Sequence, residues 1–178
     1  MNKPDIASRF RRLDALRLWA VVFVLACLFA GSGQVVRAAE WHNLEPLKSR
    51  RADVERELGK PLQPESSASN SLNFKVAGGM VTVSFVTAKF VETKKLPADL
   101  EGTVLLIVLQ HDNSSDTPES LELVKKSNFT REEKAGMTVF YNGKDGITYT
   151  FINGRLKTTR FAPAAEQLSR TGGLKSLR

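Results

Sequence analysis

Between Leu72 and Phe85, apolar and polar residues alternate on both sides of a Gly78-Gly79 pair. With those glycines as a two-residue turn, Val76 pairs Val81, Phe74 pairs Val83 and Leu72 pairs Phe85, which makes one face apolar. Lys75 with Thr82 and Asn73 with Ser84 make the other face polar. A one-residue slip would mix the two sets, so the segment predicts an antiparallel hairpin with one buried face. Past Phe85 the apolar phase moves to Val86, Ala88 and Phe90, which predicts a bulge. A second hairpin is expected across Asn153-Gly154, a strong type I′ signal. There Ile152 pairs Arg155, Phe151 pairs Leu156 and Tyr149 pairs Thr158. Ile147, Tyr149, Phe151 and Leu156 then face inward, while Thr148, Thr150, Arg155 and Lys157 face outward.

The rest of the chain supplies the partners of these hairpins. Residues 50–58 (RRADVEREL) read as a short helix with Ser49 as N-cap and with Val54 and Leu58 on one face. Gly59 stops it and Pro61 prevents continuation, while Trp41, Leu44 and Leu47 are placed to pack over its entry. Nine residues are marginal alone, so a sheet must hold this helix. Residues 63–71 form a polar loop, and 103–109 (TVLLIVL) an apolar run expected of a strand covered on both faces. A polar connection over 110–120 separates two halves, and 121–124 is compatible with a strand or a turn. Thr130-x-x-Glu133 fits a capping box with Gly136 as a stop, predicting a second short helix. Strands follow at 137–141, 147–152 and 155–161, and a disordered tail at 166–178. The expected fold is α+β: an antiparallel β-meander sheet with one or two short helices packed on it, in one domain over residues 39–165. Because 81–86 (VTVSFV) and 147–152 (ITYTFI) echo one another, a tandem helix-plus-strands repeat is the alternative.

Residues 1–38 read as a signal peptide. Lys3, Arg9, Arg11, Arg12 and Arg17 precede an uncharged apolar run over 18–30, and Gly31-Ser32-Gly33 follows it. Val36 and Ala38 suit the −3 and −1 positions of a cut before Ala39. The alternative is an N-terminal membrane anchor, because the uncharged stretch over 18–36 is long enough to cross a bilayer. Cys27 loosely fits a lipobox, but Leu28, Phe29 and Ala30 continue the apolar run past it. Arg11-Arg12 fits a twin-arginine signal only up to Asp14. Export to the periplasm or medium is the expectation, with inner-membrane anchoring as its alternative.

The same division explains the net charge of +7, which taken alone would suggest nucleic acid. Residues 1–38 hold six Lys and Arg against two acids, and 155–178 hold six against one. The body between them holds fourteen against sixteen, and is therefore close to neutral. Arg155, Lys157 and Arg160 beside Phe161 are better explained as charges protecting an edge strand, and no nucleic-acid partner is expected.

No motif names a chemistry. Cys27 is the chain's one cysteine, so neither an intramolecular disulfide framework nor a cysteine zinc site is available. His111, Asp112, Ser114 and Ser115 are the residue types of a hydrolytic triad, but adjacency in sequence is no evidence of convergence in space. His42, beside Trp41 and Glu45, reads as surface packing, and His42 with His111 are too few for a metal. Gly78-Gly79, Gly143 and Gly146 belong to no phosphate-binding pattern, and Asp145-Gly146 lacks the other acids of a calcium loop. The sequence assigns no catalytic, cofactor-binding or metal-ligating residue, no cofactor and no enzyme activity.

One resemblance rests on the run Leu44-x-Pro46-Leu47-x-Ser49-x-x-Ala52-Asp53-Val54-Glu55-x-x-Leu58-Gly59-x-Pro61. With Asp145-Gly146-Ile147-x-Tyr149 and Phe161-x-Pro163, it resembles small exported bacterial proteins of unknown function. The helix-then-LGxP entry is also similar to the BamE/SmpA-like outer-membrane assembly lipoprotein domain and to the fold of β-lactamase inhibitor protein. The resemblance implies a non-enzymatic module of the cell envelope that contacts another envelope protein. A secreted inhibitor, a small-ligand binder and an exported hydrolase using 110–115 are the alternatives.

Overall fold

A computed structural model of the chain describes residues 38–62 and 70–173. The signal or anchor segment and most of the 63–71 loop therefore lie outside the described residues. Seven strands form one antiparallel sheet: β1 (Ser71–Val76), β2 (Gly79–Phe85), β3 (Val104–His111), β4 (Thr130–Lys134), β5 (Met137–Asn142), β6 (Ile147–Ile152) and β7 (Arg155–Phe161). Their order is β1-β2-β3-β7-β6-β5-β4, two meanders meeting at the β3·β7 seam. With helices α1 (Arg51–Leu58), α2 (Ala88–Lys94) and α3 (Ala165–Gly173), this is the expected α+β meander. The two echoing segments occupy corresponding places, β2 and β6, each one strand from the seam.

Register explains how one face becomes the core. Phe74, Val81, Leu109, Thr159, Tyr149 and Phe140 lie opposite one another in a single row across six strands. Over the β1–β3 half, Leu44 and α1's Val54 pack with Phe74, Val81, Val83, Ile107 and Phe161, all buried. Over the other half, Leu123 packs with Phe140, Phe151 and Leu156, while Leu121, Phe129 and Tyr149 pack around them. Phe140 and Phe151 meet edge to face, their ring centroids 5.9 Å apart. The apolar cover of the second half comes from the stretch after the 110–120 connection, through Leu121, Leu123 and Phe129. Residues 121–124 form neither strand nor helix but run through turns into a 3₁₀ segment, Leu123–Lys125.

The first hairpin keeps its predicted faces but not its register. Its turn is Ala77-Gly78, so Val76 pairs Gly79, Phe74 pairs Val81 and Leu72 pairs Val83. Gly78, at φ +82°, holds the position a type II turn gives to glycine. Gly79 belongs to β2, where a Cβ would run into the Gln110 carbonyl of β3. The shift moves one strand by two residues, which preserves the side-chain alternation. The Asn153-Gly154 turn is type I′ as expected, with φ of +50° and +74°. Ile152 with Arg155 and Phe151 with Leu156 pair as predicted, but an irregularity at Thr150/Phe151 moves Tyr149 from Thr158 to Thr159.

The helices are corrected more substantially. Helix α1 begins one residue later than expected. Ser49 Oγ accepts from the Glu45 N–H (2.9 Å) rather than capping α1, and the Asp53 carboxylate accepts from the Arg50 N–H (2.9 Å). That bond and Arg56 hold Asp53 below the ordinary carboxylate range. Beyond Phe85, a register irregularity at Ser84/Phe85 is present, and the phase change past it starts α2, whose N-cap Thr87 accepts from the Phe90 N–H. No helix forms at 130–134. Ala135 and Gly136 both take left-handed φ, closing a tight turn that pairs Thr130–Lys134 with β5 as an exposed edge strand. The ladder satisfies backbone groups that one isolated helical turn would leave open. The expected tail begins as α3, and 174–178 lie outside the described residues.

Candidate functional site

Two surfaces stand out once the core is assigned. The first is the sheet's other face, on which a row runs Asn73, Thr82, Val108, Arg160, Thr148, Tyr141 and Thr130. A parallel row ends Thr158, Thr150 and Val139, and Ile152 lies opposite Met137. Strand β3 is therefore not covered on both faces: Leu106 and Val108 are half-buried on this side. Met137 and Ile152 face one another there as an exposed apolar pair, 36% and 44% exposed, and Tyr141, 48% exposed, lies on the same face further along β5, beyond Val139. Threonines between them supply β-forming side chains that water tolerates.

The second is a cleft of about 390 Å³ at the β1–β2 turn. Its floor is the row Val76, Gly79 and His111, with Leu109 one step inward. Its walls are Glu57 and Leu58 from the end of α1, and Trp41 and His42 from the segment before it. Trp41 and Leu44 exchange backbone hydrogen bonds around a turn in which His42 and Asn43 both have left-handed φ. That turn stacks the Trp41 and His42 rings at 4.3 Å, and Asn43 donates to Glu57 Oε2 (3.3 Å). Both histidines of the chain thus line one cleft, a meeting that 68 intervening residues hid from the sequence. His42, expected as surface packing beside Trp41 and Glu45, has its ring contact with Trp41.

Hydrolytic residue types are not assembled around His111. Its Nε2 lies 3.0 Å from Thr159 Oγ1, while Lys75 donates to Asp112 (3.0 Å) and Ser114 donates to Asp116 (2.9 Å). Burial pushes the His111 pKa below its ordinary value, opposed by the nearby Asp116 charge. No group of three or more potential metal ligands occurs among the described residues. Asp145 is bound by Asn142 Nδ2 (2.6 Å) and serves to close the β5–β6 turn. No helix among the described residues is long and apolar enough to cross a membrane.

No family model matches this chain, and no curated relative matches it either. The comparisons bring no support to the BamE/SmpA-like resemblance. Among solved structures, a DUF4309 family protein (YjgB) from Bacillus subtilis subsp. subtilis str. 168 is similar at 12% identity, over 72% of this chain and 88% of that one, with a TM-score of 0.45.

Proposed function

We propose that this chain is a non-enzymatic module exported to the bacterial cell envelope, which docks another envelope protein on the open face of its sheet. The observation that carries this reading is the exposure of Met137, Ile152 and Tyr141 along the open face of β5 and β6. An aromatic and a methionine flanked by threonines match the composition of interface cores, where aromatic residues and Met are enriched and Lys and Glu depleted. The charged edge strand beside it, with Arg131, Glu132, Glu133 and Lys134 all exposed, discourages strand addition and leaves the face as the route of contact. Export rests on the signal features of residues 1–38.

The test compares wild type with Tyr141→Asp and Ile152→Asp in envelope extracts. One protein recovered by wild type and lost with both variants, at unchanged melting temperature, supports the proposal. Recovery that is indifferent to the variants rejects the face. N-terminal sequencing of protein recovered from the periplasm, membrane and medium tests export, the expected mature start being Ala39.

A further inference from the structure

We propose that the cleft between the Trp41–Leu44 turn, the end of α1 and the β1–β2 turn is a binding site for a neutral saccharide. Its size lies at the lower end of small-molecule sites, roughly 300–1,000 Å³, with room for a mono- or disaccharide. The chemistry of the lining selects the class. No Lys or Arg lines the cleft, and the Glu57 carboxylate does, so an anion is repelled. Glu57 is already engaged by Asn43 Nδ2 and lies 3.6 Å from Arg56 Nε, so its charge is not left waiting for a ligand cation. A purely alkyl ligand would cover the Trp41 indole N–H and the His42 ring without pairing their polar atoms, which are then desolvated without return.

A sugar ring satisfies both halves of the lining. Its C–H face suits the Trp41 ring, Leu58, Val76 and Leu109, and its hydroxyls can donate to or accept from two imidazoles, the carboxylate and the indole N–H. Among the described residues, neither the Trp41 indole N–H nor the His42 ring has a hydrogen-bond partner. By strand alternation Met80 and Gln110 send their side chains to the opposite face, so they border the cleft with backbone. The site lies on the core face of the sheet, apart from the docking face proposed above.

The test uses the full chain carrying Trp19→Phe, so that Trp41 is its one tryptophan and reports directly by fluorescence. D-glucose, N-acetylglucosamine, maltose and cellobiose are titrated, with inorganic phosphate, hexylamine and hexanol as anionic, cationic and alkyl probes. At least one saccharide is expected to saturate with a Kd of about 1 mM or tighter, and His42→Gly is expected to weaken it about ten-fold. Glycine retains the left-handed turn, so that variant removes the ring without disturbing the fold. Tyr141→Asp should leave saccharide binding unchanged, which separates this site from the docking face. Saturation by phosphate, hexylamine or hexanol in place of every saccharide overturns the proposal, as does saccharide binding that His42→Gly leaves intact. The absence of any saturable response also overturns it.

Discussion

His111 shows how burial converts one side chain into a pH dependence. Its ring is half-buried on the core face against Thr159, and burial favours the neutral form. The unfolded chain therefore binds the proton more readily than the folded one, and stability is held in full above the ordinary histidine value of about 6.5. As pH falls through the lowered folded value, that contribution is lost. Urea midpoints should therefore drop between about pH 7 and pH 5, and His111→Gln should flatten the drop. Gly79 makes a different point. Both glycines of the pair looked like turn residues, because turn preference is local and nothing in the sequence places the 103–109 strand against Gly79. Close approach of the Gln110 carbonyl is what requires glycine at 79. Gly79→Ala should destabilise by about 2 kcal/mol or more, read from chemical denaturation, because the β2–β3 ladder must shift to admit the methyl group.

Among the elements, legibility followed the range of the forces involved. The strands β5, β6 and β7 and the Asn153-Gly154 turn were readable, since alternation and turn chemistry involve neighbours in sequence. Edge strand β4 was not: Thr130-x-x-Glu133 satisfies a helix-start pattern, and only pairing with β5 decides for a strand. Its charges carry a consequence for solubility. Glu132 and Lys134 lie on the open face, beside Val139 and Met137 respectively. The double variant Glu132→Val, Lys134→Val should extend the apolar patch to an unprotected edge and produce oligomers by size-exclusion chromatography with light scattering. Residues 121–124 read only as a strand or a turn, yet Leu123 is buried against Phe140, Phe151 and Leu156. Leu123→Ala should therefore destabilise the fold by about 2–5 kcal/mol in denaturant titrations, far more than a loop substitution.

At the scale of the whole sheet, α1 and the stretch around Leu123 cover one face, and among the described residues nothing packs over the other. Its core residues and the proposed docking residues lie on opposite sides of the same strands, so they separate experimentally. Tyr141→Asp should change the unfolding free energy by no more than about 0.5 kcal/mol, measured in urea, while abolishing recovery of the envelope partner. The sequence by itself determined which residues share a face within each strand, where two hairpins and one helix occur, and that the chain's positive charge is concentrated in its terminal segments. These are matters of spacing and composition, and periodicity carries them without reference to distant residues. Tertiary structure alone decided the Ala77-Gly78 turn, the β3·β7 seam, the strand at 130–134, the side of the sheet left uncovered and the meeting of Trp41, His42, Glu57 and His111. Each depends on contacts between segments far apart in the chain, whose packing outweighs the local preference written into either one.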